Sequence, residues 1–173
     1  AGGRRVDLIE VGPAHTAGDL IVHVPDADTV FAADVMFVGV APVMWAGPTE
    51  NWIRALDRIS QLAPKVVVPG HGPISSLDDV ALLRDYLSWV QAEAETRLVA
   101  GESVYDTSRA LVFSDEYRSS PWSDWEGPER IVVTVATIDR RRRETSGPVS
   151  EVQRAQIFGG VAHLAGELQR AGR

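Results

Sequence analysis

The sequence predicts a mixed α/β fold in which a small β-sheet is followed by a mostly helical region. Short apolar runs rich in β-branched residues, each bounded by Gly or Pro, occupy the first part of the chain. A segment with helical periodicity separates the last two runs, which is the pattern of a β-α-β unit. After Ser76, apolar residues recur mostly at helical spacing. These three observations define the α/β (α+β) class.

The strands are predicted from alternation and from turn residues. Residues 4–11 alternate polar and apolar side chains and end at Gly12-Pro13, so they read as a half-buried strand. Residues 20–24 and 29–33 flank the turn-forming tetrad 25–28 and predict an antiparallel hairpin. Residues 65–68 form a short apolar run that is typical of a buried strand.

The helices are predicted from apolar stripes and their boundaries. Thr49 is a plausible N-cap for a helix to about Leu62. A second helix runs from Ser76 to Leu98 and stops at Gly101. Three more helices are predicted at 104–112, 128–143 and 149–170, although the β-branched run 131–135 would also suit a strand.

Composition excludes several classes of function. The chain has 173 residues, of which 45% are hydrophobic and 24% charged, and its formal charge is −7. This charge disfavours nucleic acid and anionic membranes as partners. Cysteine is absent, so a metal site must use histidine and carboxylate ligands. No apolar run approaches the ~20 residues that cross a bilayer. No signal-peptide pattern opens the chain, and we expect a cytoplasmic protein, although a targeting segment could lie upstream.

Three side chains of metal-binding type fall at the ends of predicted strands. His15 precedes the first hairpin strand and Asp34 follows the second, so both are expected at one edge of the sheet. The β-α-β unit has parallel strands joined by a right-handed crossover, which brings His71 beside Asp34. Imidazole and carboxylate are common ligands of divalent metals. The topology therefore predicts a metal site at this edge.

The sequences around these residues resemble the second half of the metallo-β-lactamase superfamily. They read Gly12-Pro13-Ala14-His15-Thr16-Ala17-Gly18-Asp19, Phe31-Ala32-Ala33-Asp34 and Val68-Pro69-Gly70-His71-Gly72-Pro73. The family carries there an H-T-x-G-D segment, an aspartate after an apolar strand and a P-G-H-G turn, in this order. Ala33 stands where the family commonly has glycine, a departure that we expect to be minor.

The resemblance implies half of a four-layered αββα sandwich with a mixed sheet over residues 1–75, followed by a helical C-terminal region over 76–173. His15 would complete a first metal site, Asp34 would bridge two metals at the catalytic centre, and His71 would bind the second. The metals implied are two zinc ions, with iron or manganese as alternatives. Asp19 and Thr16 would brace the loop that carries His15.

The family's first half carries an H-x-H-x-D-H cluster, and this sequence has no H-x-H motif. That cluster supplies two ligands to each metal in the family. Without it, this chain would supply one histidine to each metal and the bridging Asp34. The half-sandwich would expose a sheet face that includes Val22, Val30 or their neighbours. We expect an N-terminal half, in the same or a separate chain, or a second copy of this chain to cover it.

The implied activity of the intact protein is metal-assisted hydrolysis of a small molecule with an ester, thioester or amide-like bond. Within the family we favour a hydrolase similar to glyoxalase II, and we expect the isolated chain to be inactive. Two alternatives stay open. One is a non-catalytic structural or assembly module with relic ligands, and the other is an iron-dependent oxidation of a sulfur substrate.

Four other features have less specific interpretations. Trp45 could line a substrate pocket, although packing that anchors its loop is at least as plausible. His23, within a strand, and His163, on the last helix, are interpreted as residues that bind no metal. The basic run Arg140–Arg143 fits a solvated helix end that the helix dipole favours.

Overall fold

A computed structural model describes residues 2–145 and 147–172. The four strands are β1 (Asp7–Glu10), β2 (Leu20–Val24), β3 (Thr29–Phe37) and β4 (Val66–His71). They form one sheet in the order β1-β2-β3-β4, in which only β3 and β4 are parallel. The predicted hairpin, β-α-β unit and mixed sheet are confirmed. The first strand is shorter than the predicted range 4–11.

Six α-helices account for most of the remaining described residues. They are α1 (Thr49–Leu62), α2 (Leu77–Val99), α3 (Val104–Phe113), α4 (Asp115–Ser119), α5 (Ile131–Arg142) and α6 (Glu151–Arg170). The region 128–143 is helical as predicted, with one 3-10 turn before α5. Residues 131–138 are all buried, so the β-branched run belongs to a helix that is surrounded by protein.

The start of α1 differs slightly from the prediction. Pro48 occupies the N-cap position, and Thr49 is the first helical residue. The Thr49 hydroxyl donates instead to the Gln91 side chain of α2, at 2.7 Å. Ser76 caps α2 in a capping box with Asp79, as its position before the apolar stripe indicates. The Thr49 side chain therefore links α1 to α2 instead of capping α1.

One face of the sheet is covered by helices. Val30 and Val67 are partners in the β3–β4 register, and both are fully buried in the same core cluster as Trp52 and Leu56 of α1. This core cluster continues into the later helices as far as Leu168. The proposed boundary between residues 75 and 76 therefore crosses a continuous core, and the division into two domains stays a prediction. No helix of the described residues is long and apolar enough to span a membrane.

The other face of the sheet carries an apolar row. Leu8, Val22, Phe31 and Val68 are successive partners across the four strands. Leu8 is 67% exposed and Phe31 46% exposed. We call these four residues the open-face row. The expectation that Val30 lies on the exposed face is wrong, because the strand alternation turns Val30 into the core and Phe31 outward.

Candidate metal centre

The three predicted ligands meet at one edge of the sheet. One carboxylate oxygen of Asp34, Oδ1, lies 3.4 Å from His71 Nε2, and the other, Oδ2, lies 3.8 Å from His15 Nε2. The side chains of Asp34 and His71 are 47% and 50% exposed, whereas that of His15 is only 12% exposed. The centre is therefore open to solvent on one side and packed against protein on the other.

Asp34 lies within a strand, which corrects the expectation that it follows the strand end. The strand β3 continues to Phe37, and its pairing with β4 is irregular on both sides of Ala33. Ala33 has a φ of 46°, in the left-handed region. This irregularity interrupts the β3–β4 pairing next to Asp34. The Asp34 side chain lies at this interruption, close to β4.

Two glycines allow β4 to approach this part of β3. A Cβ on Gly70 would overlap Asp34 Oδ1 and would lie 2.7 Å from the Ala33 carbonyl carbon. A Cβ on Gly72 would overlap the Val38 carbonyl oxygen, and Gly72 has a φ of 94°. The glycines of the P-G-H-G segment thus leave the space in which His71 and Asp34 come together.

The ring orientation of His15 follows from one hydrogen bond. Its Nδ1 lies 2.5 Å from the carbonyl oxygen of Val43, which can only accept, so Nδ1 carries the proton. The neutral ring then has its lone pair on Nε2, the nitrogen that faces Asp34. A carbonyl partner of this kind is what fixes the tautomer of a metal-binding histidine.

Phe37 and Trp52 pack against the two histidines of the site. The sequence patterns did not predict this role for either residue. Phe37 stacks on the His71 ring with 4.6 Å between centroids, and it lies 5.7 Å from the His15 ring. Trp52 approaches the His15 ring edge-on at 5.8 Å, and its Nε1 donates to the Val35 carbonyl at 2.7 Å. Phe37 could be found only by extending β3 past Asp34, because no short motif contains it.

Asp19 and Thr16 lie in the loop that carries His15. Asp19 is buried and accepts hydrogen bonds from the Ala14 amide at 2.9 Å and the Thr16 hydroxyl at 2.7 Å. Its oxygens also accept from the Thr16 amide. One carboxylate therefore ties both neighbours of His15. This geometry is compatible with the bracing role that the resemblance implies.

The remaining histidines and Trp45 lie elsewhere. His23 faces Asp7 at 3.8 Å, and His163 faces Glu167 at 3.7 Å. Trp45 contacts the Phe158 ring at 5.9 Å between centroids. It lines a cavity of about 550 Å³, together with Thr137, Arg140 and other residues. Trp45 thus packs against Phe158 and also lines a cavity. Its role in lining a substrate pocket stays a prediction.

The basic run lies at the C-terminal end of α5, and its guanidinium groups also make local ion pairs and hydrogen bonds. Arg142 and Arg143 both pair with Asp139, at 2.8 and 2.7 Å. Arg140 donates to the Gly147 carbonyl, and Arg141 donates to carbonyls of the loop before α1. Arg141, Arg142 and Arg143 are exposed, so the prediction of a solvated helix end is confirmed, and local ion pairs and hydrogen bonds add to it.

Clear pKa shifts occur at groups outside the His15, Asp34 and His71 cluster. A hydrogen bond from Arg109 lowers the pKa of Glu167, and burial raises the pKa of Tyr86. Both residues belong to the helical region. Neither shift concerns a group at the sheet edge.

His15, Asp34 and His71 could supply part of the ligands of a site for two cations. Among residues 2–145 and 147–172, no group of three or more His, Asp and Glu side chains is arranged to hold a metal ion. Asp34 instead forms two pairs, each made of one carboxylate oxygen and one imidazole nitrogen. Tetrahedral zinc needs four ligands, so each pair would need further donors.

Comparison with known proteins supports the family relationship. Residues 1–71 match the sequence profile of the metallo-beta-lactamase superfamily. No curated protein sequence matches the chain. The predicted resemblance to the metallo-β-lactamase superfamily is confirmed for this part of the chain.

Solved structures extend the similarity in fold beyond this segment. A stereoselective inverting sec-alkylsulfatase from Pseudomonas sp. matches with a TM-score of 0.66 and 11% identity, over 84% of this chain and 25% of that chain. A metallo-beta-lactamase family protein from Thermus thermophilus matches with a TM-score of 0.59 and 18% identity, over 84% of this chain and 48% of that chain. At these identities the similarity shows the fold alone. The chain spans between a quarter and about half of these structures.

Proposed function

We propose that this chain supplies part of the centre of a metal-dependent hydrolase, with His15, Asp34 and His71 as metal ligands. The observation that carries the proposal is the position of Asp34, whose two oxygens face two different imidazoles at 3.8 and 3.4 Å. Carboxylates bind cations through either oxygen, so Asp34 can lie between two metal ions. Zinc is the metal that we expect, with iron and manganese as alternatives.

The chain's own residues prepare this edge for cations. His15 directs its Nε2 lone pair to the site because the Val43 carbonyl holds the other ring nitrogen. Asp34 brings negative charge, and Phe37 and Trp52 exclude water from the protein side of His15. When bound, divalent cations would supply an activated water and Lewis acidity towards a carbonyl or phosphoryl oxygen. Esters, thioesters, lactams and phosphoesters are suitable substrates, and we favour a thioester.

The remaining ligands must come from outside the described arrangement. We propose that a second sheet, equivalent to the family's N-terminal half and present in the same or a separate chain, packs on the open-face row and brings them. The support is the aligned apolar row itself, because a contiguous exposed apolar patch is unfavourable in water. A second copy of this chain is the alternative occupant.

Metal content tests the proposal. The 173-residue chain is analysed for bound elements alone and after mixing with a polypeptide that carries an H-x-H-x-D-H half. We expect about two metal ions per complex and almost none on the chain alone, because each cation needs more donors than one imidazole and a shared carboxylate. Asp34→Ala should abolish the uptake, whereas His23→Ala should leave it unchanged.

The same samples separate the alternatives. A complex without metal would contradict the metal centre and favour the non-catalytic module, for which the incomplete donor set is the supporting observation. Iron as the bound element would favour the sulfur-oxidising alternative. We also expect the isolated chain to hydrolyse neither a thioester nor a lactam. Metal-dependent turnover by the chain alone would show that the donors described here suffice.

A further inference from the structure

The position of His15 is set by the loop that precedes α1. We call residues Pro42–Gly47 the 42–47 loop. The Val43 carbonyl accepts from His15 Nδ1, and the amides of Trp45 and Ala46 donate to the His15 carbonyl at 2.9 and 3.3 Å. The Gly47 amide donates to the carbonyl of Ala14 at 2.9 Å. The 42–47 loop therefore forms hydrogen bonds with both the ring and the backbone of His15.

The 42–47 loop is in turn held by one face of α5. The Met44 amide donates to the Thr134 hydroxyl at 3.3 Å, and the Thr137 hydroxyl donates to the Met44 carbonyl at 2.6 Å. Arg141 donates to the Ala46 carbonyl through Nε and Nη2, at 2.9 and 2.7 Å, and Nη2 also donates to the Gly47 carbonyl at 2.9 Å.

The three α5 side chains have the spacing of a single helix face. Thr134, Thr137 and Arg141 lie three and four residues apart, so they project along the same side. Thr134 and Thr137 are buried. A planar guanidinium that binds two adjacent carbonyls restricts them more than a single-point donor does. The loop therefore has little freedom to move away from His15.

We infer that α5, through Thr137 and Arg141, positions the imidazole of His15 for metal binding without contributing a ligand. The inference rests on the proposed metal-binding role of His15 and adds residues of the helical region to the centre. A ligand that is held within a fraction of an ångström binds better than one on a free loop. Thr137 and Arg141 are positioning residues, because they act on His15 only through the 42–47 loop.

The first test reads the His15 tautomer in the metal-free chain. Long-range proton–nitrogen NMR spectra, recorded with the imidazole neutral, should show the proton on Nδ1 in the wild type. Arg141→Met and Thr137→Val should each shift the ring nitrogens towards the average of the two tautomers. Arg141→Lys should recover part of the wild-type signal. The matched controls Arg143→Met, which pairs with Asp139 rather than with the loop, and Thr96→Val on the exposed side of α2 should leave it unchanged.

The second test measures binding of zinc ion by calorimetry in the complex with the H-x-H-x-D-H half. We expect about tenfold weaker binding for Arg141→Met and Thr137→Val, the size of effect typical for partners that orient a metal ligand. Circular dichroism establishes that each variant is folded. If Arg141→Met does not fold, Thr137→Val decides.

The outcomes separate the two levels of inference. A wild-type tautomer signal in folded Arg141→Met and Thr137→Val would overturn the positioning role. An altered tautomer without any zinc binding by the wild-type complex would support the positioning of His15 and contradict the proposed metal centre instead.

Discussion

Among the single residues near the candidate centre, Ala33 has the least favourable backbone conformation. Its φ of 46° lies in the left-handed region, where an L side chain approaches its own carbonyl. The sequence comparison treats alanine in place of glycine as a minor departure. The structure gives that departure a physical cost, because glycine adopts this conformation without a steric penalty.

We expect Ala33→Gly to raise the free energy of unfolding by up to about 1 kcal/mol, because relief of the left-handed strain exceeds the entropy that glycine adds to the unfolded chain. Urea denaturation measures the change. Ala33→Val should lower the free energy of unfolding, since a β-branched side chain tolerates this conformation worse. A less stable Ala33→Gly protein would contradict the interpretation.

Gly70 allows the close approach between β4 and Asp34. We expect Gly70→Ala to displace the Asp34 carboxylate and to destabilise the fold by about 1–3 kcal/mol through overpacking. Metal uptake by the complex should also fall. The control is Gly18→Ala, where an added Cβ would meet no atom within 4 Å. Equal unfolding midpoints for the two variants would show that β4 can move away at no cost.

At the level of helices and strands, two tryptophans differ in their hydrogen bonding. Trp52 joins α1 to β3 through its bond to the Val35 carbonyl, and it also flanks His15. The indole nitrogen of Trp89 on α2 is buried and has no partner among the described residues. The pair therefore compares a tryptophan that donates to a backbone carbonyl with one that does not.

Trp52→Phe should destabilise the protein about 1–3 kcal/mol more than Trp89→Phe, because it leaves a buried carbonyl without its donor. Chemical denaturation of both variants gives the comparison. Both substitutions remove the same atoms, and Trp52 is also the more deeply buried ring, so its lost packing adds to the lost hydrogen bond. A larger loss for Trp89→Phe would contradict the assigned role of the Trp52 bond.

In the molecule as a whole, the sheet is covered by helices on one side and presents the open-face row on the other. Phe31 lies within this row, between Val22 and Val68 in the register. An isolated chain with such a face has a driving force for self-association. The proposed second sheet would remove that driving force by occupying the same surface.

Phe31→Asp should therefore reduce concentration-dependent self-association of the isolated chain, as followed by sedimentation velocity, because a charge within the row opposes its burial. The control is Val152→Asp on α6, an exposed position outside the sheet. Identical sedimentation of wild type and Phe31→Asp over the whole concentration range would exclude this face as the contact surface.

Much of the architecture could be predicted because its signals are local. Apolar periodicity and turn residues place β2 at its observed bounds, the start of α1 to within one residue, and α2, α3, α5 and α6 to within a few residues. The short helix α4 was not predicted. Chain order and the right-handed crossover suffice to bring Asp34 and His71 together. The predicted ends of β3 and β4 are less accurate, because strand pairing past Ala33 depends on a register irregularity that no short sequence pattern encodes.

Residue patterns alone were enough for the fold class, the family relationship of residues 1–71 and the three side chains that meet at the sheet edge. Three further features required the folded chain: which sheet face is open, which tautomer His15 adopts and which helix holds its loop. The difference arises from distance along the chain. Strand periodicity and motifs extend over a few residues, whereas the contacts from Thr137 and Arg141 to the 42–47 loop join residues more than 90 positions apart.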